Sequence, residues 1–179
     1  FDVIETKQVI HDYQTGVENT RKHRYHYQTL FKNFVDGEYK QLPVPPYTLG
    51  AWLGDGSNQD GLLYEPKQDR CIIERVISDG YPIKWHEVHK TTGVEHFRLD
   101  GLRFDLQKVG MCYSYHRCVK HIPEEYFTAS IAQRMELLAG LLDTDGSLRA
   151  KEHRYDFSTT ESQLKDDFIT LVSTFGWRC

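Results

Sequence analysis

The residues best suited to chemistry lie in two short segments that share one pattern. In the first, Gly50 is followed five residues later by Asp55 and then by a glycine; in the second, Gly140 is followed five residues later by Asp145 and then by a glycine. The two aspartates are 90 residues apart. Two carboxylates brought together attract a divalent cation, and Mg²⁺ is expected because it prefers oxygen ligands. A bound Mg²⁺ would polarise a phosphate oxygen and lower the pKa of an attacking water.

Both segments are predicted to be helices that pack against each other. They cover 47–56 and 131–146 and are apolar nearly all round, as a buried pair should be. A glycine in a helix interior costs about 1 kcal/mol relative to alanine, so it is useful where a second backbone comes close. We predict parallel packing through Gly50 and Gly140, which brings Asp55 and Asp145 together. The alternative, that each Asp-Gly pair only ends a helix, is disfavoured by two copies at equal spacing.

The remaining pattern predicts an α+β fold with an internal repeat. Pro46 suits the first turn of a helix, and Gly56 is expected to end that helix in a left-handed conformation. A short helix from Thr6 and a strand over 25–30 are predicted early in the chain. Apolar spacing and alternation predict the other elements: helices over 68–80, 102–110 and 161–177, strands over 83–89 and 95–101 with a turn at 91–93, and a hairpin over 147–160.

Composition limits the class of protein. The chain has 179 residues, 39% of them hydrophobic, which is enough for a core, and no apolar run approaches the roughly 20 residues of a membrane span. Four cysteines are too few for a small disulfide-stapled scaffold. The net charge of −4 does not favour general nucleic-acid binding, so a DNA-binding surface has to be a local cluster of Lys and Arg.

The two repeated segments resemble the paired motifs of the LAGLIDADG homing endonucleases. LAGLLDTDG (138–146) differs from the name-giving sequence at two positions, and TLGAWLGDG (48–56) resembles the more divergent first copy. The longer stretch LPVPPYTLGAWLGDGS (42–57) is similar to the form found in inteins that carry an endonuclease. KHIPEEY (120–126) resembles the intein block in which a lysine opens a Lys-x-Ile-Pro turn. The resemblance covers about residues 40–179.

This resemblance implies a fold of two αββαββα halves around a pseudo-twofold axis, which form a saddle over DNA. It divides the chain into a segment near the splicing domain (1–45), a first half (46–130) and the start of an incomplete second half (131–179). The implied activity is site-specific, Mg²⁺-dependent cleavage of both DNA strands by an intracellular monomer. The implied partners are a double-stranded DNA target and the host protein (the exteins) of an intein, and no membrane.

The resemblance also assigns roles residue by residue. Asp55 and Asp145 match the two catalytic, metal-binding carboxylates, and Gly54 and Thr144 would lend backbone carbonyls to the metal. Lys120 matches the family lysine that would polarise the attacking water or balance the charge of the transition state. The residues after the second motif that would contact DNA are Ser147, Arg149, Lys151, His153 and Arg154. A solvated hairpin face is the alternative for that last group.

Other functions remain open at this stage. One is protein splicing with an inactive endonuclease, marked by a junction Cys or Ser and a terminal His-Asn pair, and the sequence shows neither. Another is nucleic-acid binding without cleavage, as in a maturase. A zinc site at Cys112, His116, Cys118 and His121 is disfavoured because the spacing fits no standard zinc pattern. The basic-aromatic stretch 21–26 suits either DNA contact or solvent.

Overall fold

The structure is a computed structural model that describes residues 36–65, 70–113, 117–152 and 154–177. All of them belong to the unit that begins at Lys32. The predicted helix from Thr6, the predicted strand over 25–30 and the basic-aromatic stretch 21–26 lie outside the described residues.

The described residues form an α+β fold, as the sequence predicts. In chain order the elements are α1 (Pro46–Asp55), β1 (Leu63–Glu65), α2 (Arg70–Ser78), β2 (Ile83–Val88), β3 (Glu95–Leu99), α3 (Leu102–Lys108), α4 (Glu124–Phe127), α5 (Ile131–Asp145), β4 (Gly146–Arg149), β5 (Arg154–Phe157) and α6 (Ser162–Ser173). A short 3-10 helix (Ala150–Glu152) joins β4 to β5. None of the helices in these ranges is long and apolar enough to cross a membrane.

Local sequence signals explain where the two central helices begin. Pro46 occupies the first position of α1, where a missing N–H costs nothing. Ser130 precedes α5 and accepts the backbone N–H of Gln133, while the Gln133 side chain reaches back to Ser130 in a capping box. Both helices therefore begin where short-range interactions favour a helix N-terminus.

The prediction of a left-handed Gly56 is wrong. Gly56 has φ −80° and ψ 149°, which is extended backbone, because the chain passes straight from α1 into a bridge with Leu63. A glycine is needed here because of the limited space rather than because of its dihedral freedom. A Cβ atom built on Gly56 would overlap the indole ring of Trp52. The residue that follows the first aspartate is small because Trp52 lies against it.

The strands form two antiparallel sheets. The first has the strand order β1-β3-β2, and the second is the β4-β5 hairpin. The αββαββα pattern implies two strands between the first two helices, whereas the described residues there show β1 and one isolated bridge from Gly56 to Leu63. The connection between Gly56 and Leu63 is short and contains a turn at 58–60, so a full hairpin does not form.

The core lies around α1 and α5, which make the most extensive contact between any two described elements. Residues from both halves of the repeat form this core. Helices α1, α3, α5 and α6 each contribute two leucines at or below 1% exposure: Leu49, Leu53, Leu102, Leu106, Leu137, Leu141, Leu164 and Leu171. The aspartates at the ends of α1 and α5 are thus carried by the most buried helices described.

Candidate active site

The two repeated helices touch backbone to backbone through their glycines. A Cβ atom built on Gly50 would lie 3.1 Å from the Cα of Gly140, and one built on Gly140 would lie 3.0 Å from the carbonyl carbon of Gly50. The contacts are reciprocal, because Gly50 also meets the carbonyl oxygen of Leu137 and Gly140 meets that of Tyr47. Residues 90 positions apart therefore play matching roles in the two helices.

The same register continues to the ends of the helices, so they run in parallel. A Cβ atom built on Gly54 would lie 2.7 Å from the Cβ of Thr144 and 3.5 Å from the carboxyl carbon of Asp145. The Asp145 side chain therefore lies beside the last turn of α1. Burial raises the pKa of the Asp145 carboxyl, and the Lys120 ammonium acts in the opposite direction.

Lys120 lies at the meeting point of the two helix ends. Its side chain is buried, and its Nζ donates a hydrogen bond of 2.8 Å to the backbone carbonyl of Gly54. The same ammonium lies 5.4 Å from the centre of the Trp52 ring. Burial lowers the pKa of Lys120 to about 8, although the charges of Asp145 and Asp55 both act to raise it. A lysine in this range exchanges a proton near neutral pH, as a general acid or base must.

Asp167 fixes the turn that carries Lys120, a role that the sequence analysis missed. Its buried carboxylate accepts the backbone N–H of Ile122 at 2.7 Å and the side-chain amide of Gln163 at 2.9 Å. Pro123 then opens α4. No sequence signal identifies Asp167, because its partner lies 45 residues away along the chain.

A cavity of about 680 Å³ opens in front of Lys120 and Asp145. The backbone at Gly54, the aromatic ring of Tyr64 and the ion pair of Arg117 with Glu161 also line it. Further polar lining comes from Asn58, Gln59, Ser158, Thr159 and Thr160. Asp55 is not among the described residues that line this cavity, although its charge acts on Lys120.

The oxygen atoms at the site suit Mg²⁺. The Asp145 carboxylate and the Gly54 carbonyl are hard donors, and Mg²⁺ is commonly held by one or two carboxylates while waters and substrate phosphates complete its shell. No group of three or more His, Cys, Asp or Glu side chains in the described ranges is arranged to hold a metal ion. A metal here would therefore depend on few protein ligands. The Gly54 carbonyl already accepts a hydrogen bond from Lys120, so a cation bound to the second lone pair of this oxygen would lie close to that ammonium.

The stretch considered for zinc contains a protonated thiol. Burial, and then the neighbouring Cys118, raise the pKa of Cys112 to about 12, so this thiol is protonated in the metal-free chain. His116 lies outside the described residues. Cys112, Cys118 and His121 are described, and no group of three such side chains in the described ranges is arranged to hold a metal ion.

The predicted DNA-contacting residues lie on the second hairpin, and its arginines bind acidic neighbours there. Arg149 and Arg154 face each other across the strands, and both contact the Asp156 carboxylate, Arg154 at 3.0 Å. Arg154 also reaches Glu152 at 3.1 Å. These two arginines lower the pKa of Asp156. Exposed ion pairs of this kind are weak, so they do not hold the arginines firmly.

The other hairpin candidates occupy different positions. Ser147 lies opposite Asp156 on the polar face, and Lys151 lies in the 3-10 turn. His153 lies outside the described residues. Thr144 lies at the contact of α5 with Gly54, and its hydroxyl donates to the carbonyls of Gly140 and Leu141 within α5.

The open face of the three-stranded sheet carries a second group of polar and aromatic side chains, which the sequence analysis did not predict to lie together. Glu95, Phe97 and Leu99 of β3 are buried, which places His96 and Arg98 on the opposite face. The register pairs Tyr64 with His96 and Trp85 with Arg98, so these four side chains share that face. Alternation alone predicts the strands, but the shared face depends on the register between them.

Comparison with known proteins gives a match to part of a longer protein. Over 160 residues the chain is 35% identical to the replicative DNA helicase DnaB of Mycobacterium intracellulare. The alignment covers 89% of this chain but 24% of the helicase, so the chain spans about a quarter of the length of the relative it matches. No family model matches the chain.

Proposed function

We propose that the chain is the endonuclease region of an intein and that it cuts double-stranded DNA with the help of Mg²⁺. The observation that carries this proposal is the reciprocal packing of Gly50 against Gly140, which sets Asp145 and Lys120 together at a polar cavity. A match confined to 24% of a helicase is what an insertion within a host protein would give. The host protein of such an intein would be its first partner.

The chemistry divides between the metal and the chain. Bound Mg²⁺ would polarise the scissile phosphate and activate a water. Asp145, with the carbonyls of Gly54 and Thr144, would hold it, and Asp55 would serve the same role toward the second strand. Lys120 would hold or give up a proton beside the reacting phosphate, which its lowered pKa allows. The polar cavity walls would hold the backbone of the DNA.

The test is plasmid linearisation by Asp55→Asn and Asp145→Asn variants. The substrate is a plasmid that carries the two DNA sequences flanking this reading frame, joined with the insert removed. We expect the parent chain to give linear product with Mg²⁺ and none with EDTA, and each variant to give no linear product. Linear product from either variant at the parent rate would refute the assignment.

Asp143→Asn is the matched control for these variants. Asp143 lies in the same last turn of α5, but its carboxylate accepts the hydroxyl of Tyr47 at 2.7 Å. The same chemical change at this position should leave linear product intact. A parent chain that binds the plasmid fragment in a salt-dependent way, yet never cuts it with Mg²⁺, would instead identify a binding protein without cleavage.

A further inference from the structure

Arg117 belongs to the same cavity as Lys120 and Asp145, although no motif marks it. Its guanidinium donates to the Glu161 carboxylate at 2.8 Å, and both residues line the cavity. The backbone beside it is fixed, because the N–H of Cys118 donates to the carbonyl of Asn58 at 3.0 Å. Arg117 is therefore anchored at its main chain, while its side chain is 67% exposed.

Glu161 is fixed more firmly than its partner. Its side chain is 23% exposed, it immediately precedes α6, and its backbone N–H donates to the Thr159 hydroxyl at 3.2 Å. Its charge also acts on Lys120, which places it close to both cations of the cavity wall. Two cations thus share the cavity with the carboxylates of Glu161 and Asp145.

The Arg117 side chain is suited to bind a phosphate in place of its carboxylate partner. A guanidinium offers five N–H donors in a planar fork that fits a phosphate as well as a carboxylate. Exposed ion pairs of this kind are weak, so a strongly charged ligand can displace the carboxylate. A DNA phosphate entering the cavity would meet this guanidinium beside Lys120.

We propose that Arg117 is a phosphate-binding residue of the Lys120 cavity, held by Glu161 until a DNA phosphate replaces that carboxylate. The proposal rests on the proposed function for the identity of the ligand as DNA. It makes Glu161 a competitor that keeps Arg117 oriented in the absence of DNA. A phosphate contact positions the duplex and reads no sequence, so it acts on any duplex.

The experiment measures binding of the 179-residue chain to a fluorescein-labelled duplex of arbitrary sequence by anisotropy, in EDTA, over about 50 to 200 mM salt. Loss of one phosphate contact makes the negative slope of log affinity against log salt shallower by about 0.9. We expect Arg117→Gln to show that loss and to bind about tenfold more weakly at low salt. Arg117→Lys should keep most of the slope, because it keeps the charge.

Glu161→Gln gives the opposite result if Glu161 competes with phosphate. It should bind the duplex more tightly than the parent chain, and the gain should shrink when combined with Arg117→Gln. Arg75→Gln is the matched control: Arg75 pairs with Glu136 across two helices, is 45% exposed, and does not line the cavity. Its salt slope should equal that of the parent.

An unchanged salt slope in a folded Arg117→Gln variant would overturn the proposal, as would a Glu161→Gln gain of equal size with and without Arg117. The readout is independent of cleavage. If Asp145→Asn still cuts the plasmid, the proposed function fails whatever Arg117 does. If Asp145→Asn abolishes cleavage but the salt slope of Arg117→Gln equals that of the parent, the phosphate-binding role of Arg117 is refuted and the proposed function stands.

Discussion

Asp167 shows how much of the site depends on one buried carboxylate. Asp167→Ala removes the acceptor of the Ile122 N–H and leaves that buried donor without a partner, which should lower the free energy of unfolding by about 1–3 kcal/mol. Asp167→Asn keeps one oxygen acceptor and should lose less. Urea denaturation measures both changes. Because Ile122 lies two residues after Lys120, plasmid cleavage should fall more in the alanine variant than in the asparagine variant.

The neighbouring Asp166 supplies the control for this prediction. Its side chain is exposed and pairs with Lys165 at 3.1 Å, so Asp166→Ala should change the free energy of unfolding by less than about 1 kcal/mol. Equal losses at the two positions would contradict a special role for Asp167.

At the scale of single residues, sequence reasoning could single out Asp55, Asp145 and Lys120 but not Asp167 or Arg117. The first three stand in recognisable patterns, either the repeat or the Lys-x-Ile-Pro turn. The other two look like ordinary charged residues of a helix and a loop. Their roles arise from contacts with Ile122 and Glu161, and no local pattern reports a partner about 45 residues away.

At the scale of elements, the seam between α1 and α5 sets two physical effects against each other. Helix propensity alone predicts that Gly140→Ala should stabilise the protein by about 1 kcal/mol. The added Cβ, however, would lie 2.7 Å from the backbone nitrogen of Ala51, and a backbone cannot move aside as a side chain can. We expect overpacking to win and the free energy of unfolding to fall by about 1–3 kcal/mol.

Ala132→Gly tests the propensity effect in the same helix. Ala132 is exposed in the first turns of α5, so this change should cost at most about 1 kcal/mol with no steric term. Chemical denaturation of both variants gives the comparison. A Gly140→Ala variant more stable than the parent would mean that the two backbones are not in contact.

Most elements could be predicted from periodicity, and the exceptions have physical causes. α2, α5 and the β2-β3 pair lie within the predicted ranges because their apolar spacing is regular. The resemblance implies two strands after α1, but the described residues there form one strand and an isolated bridge, since a turn at 58–60 uses the residues that a second strand would need. The extended Gly56 was missed because the sequence does not show that the chain pairs with Leu63 directly after α1.

At the scale of the molecule, the repeat does not divide the described chain into two independent cores. The predicted boundary falls near residue 130, yet α1 finds its main partner in α5, on the other side of that boundary. The described part of the predicted leading segment, 36–45, also joins this core. The backbone of Lys40 exchanges two hydrogen bonds with the Gln133 side chain, at 3.0 and 2.7 Å, and Val44 exchanges two with the Tyr126 hydroxyl.

This shared core predicts the behaviour of a chain divided between α4 and α5, into residues 1–129 and 130–179. Without α5, the buried residues of α1, including Leu49 and Leu53, would face water. Exposing a fully buried leucine costs about 1.5–3 kcal/mol, and a few such losses match the 5–15 kcal/mol stability of an ordinary domain. We therefore expect neither fragment to unfold cooperatively on heating, by circular dichroism. An equimolar mixture should regain a cooperative transition at a concentration-dependent temperature, because folding then requires association. A first fragment that melts cooperatively by itself, at the temperature of the intact chain, would show that the repeats are separate domains and that the α1-α5 seam is not what holds the candidate site together.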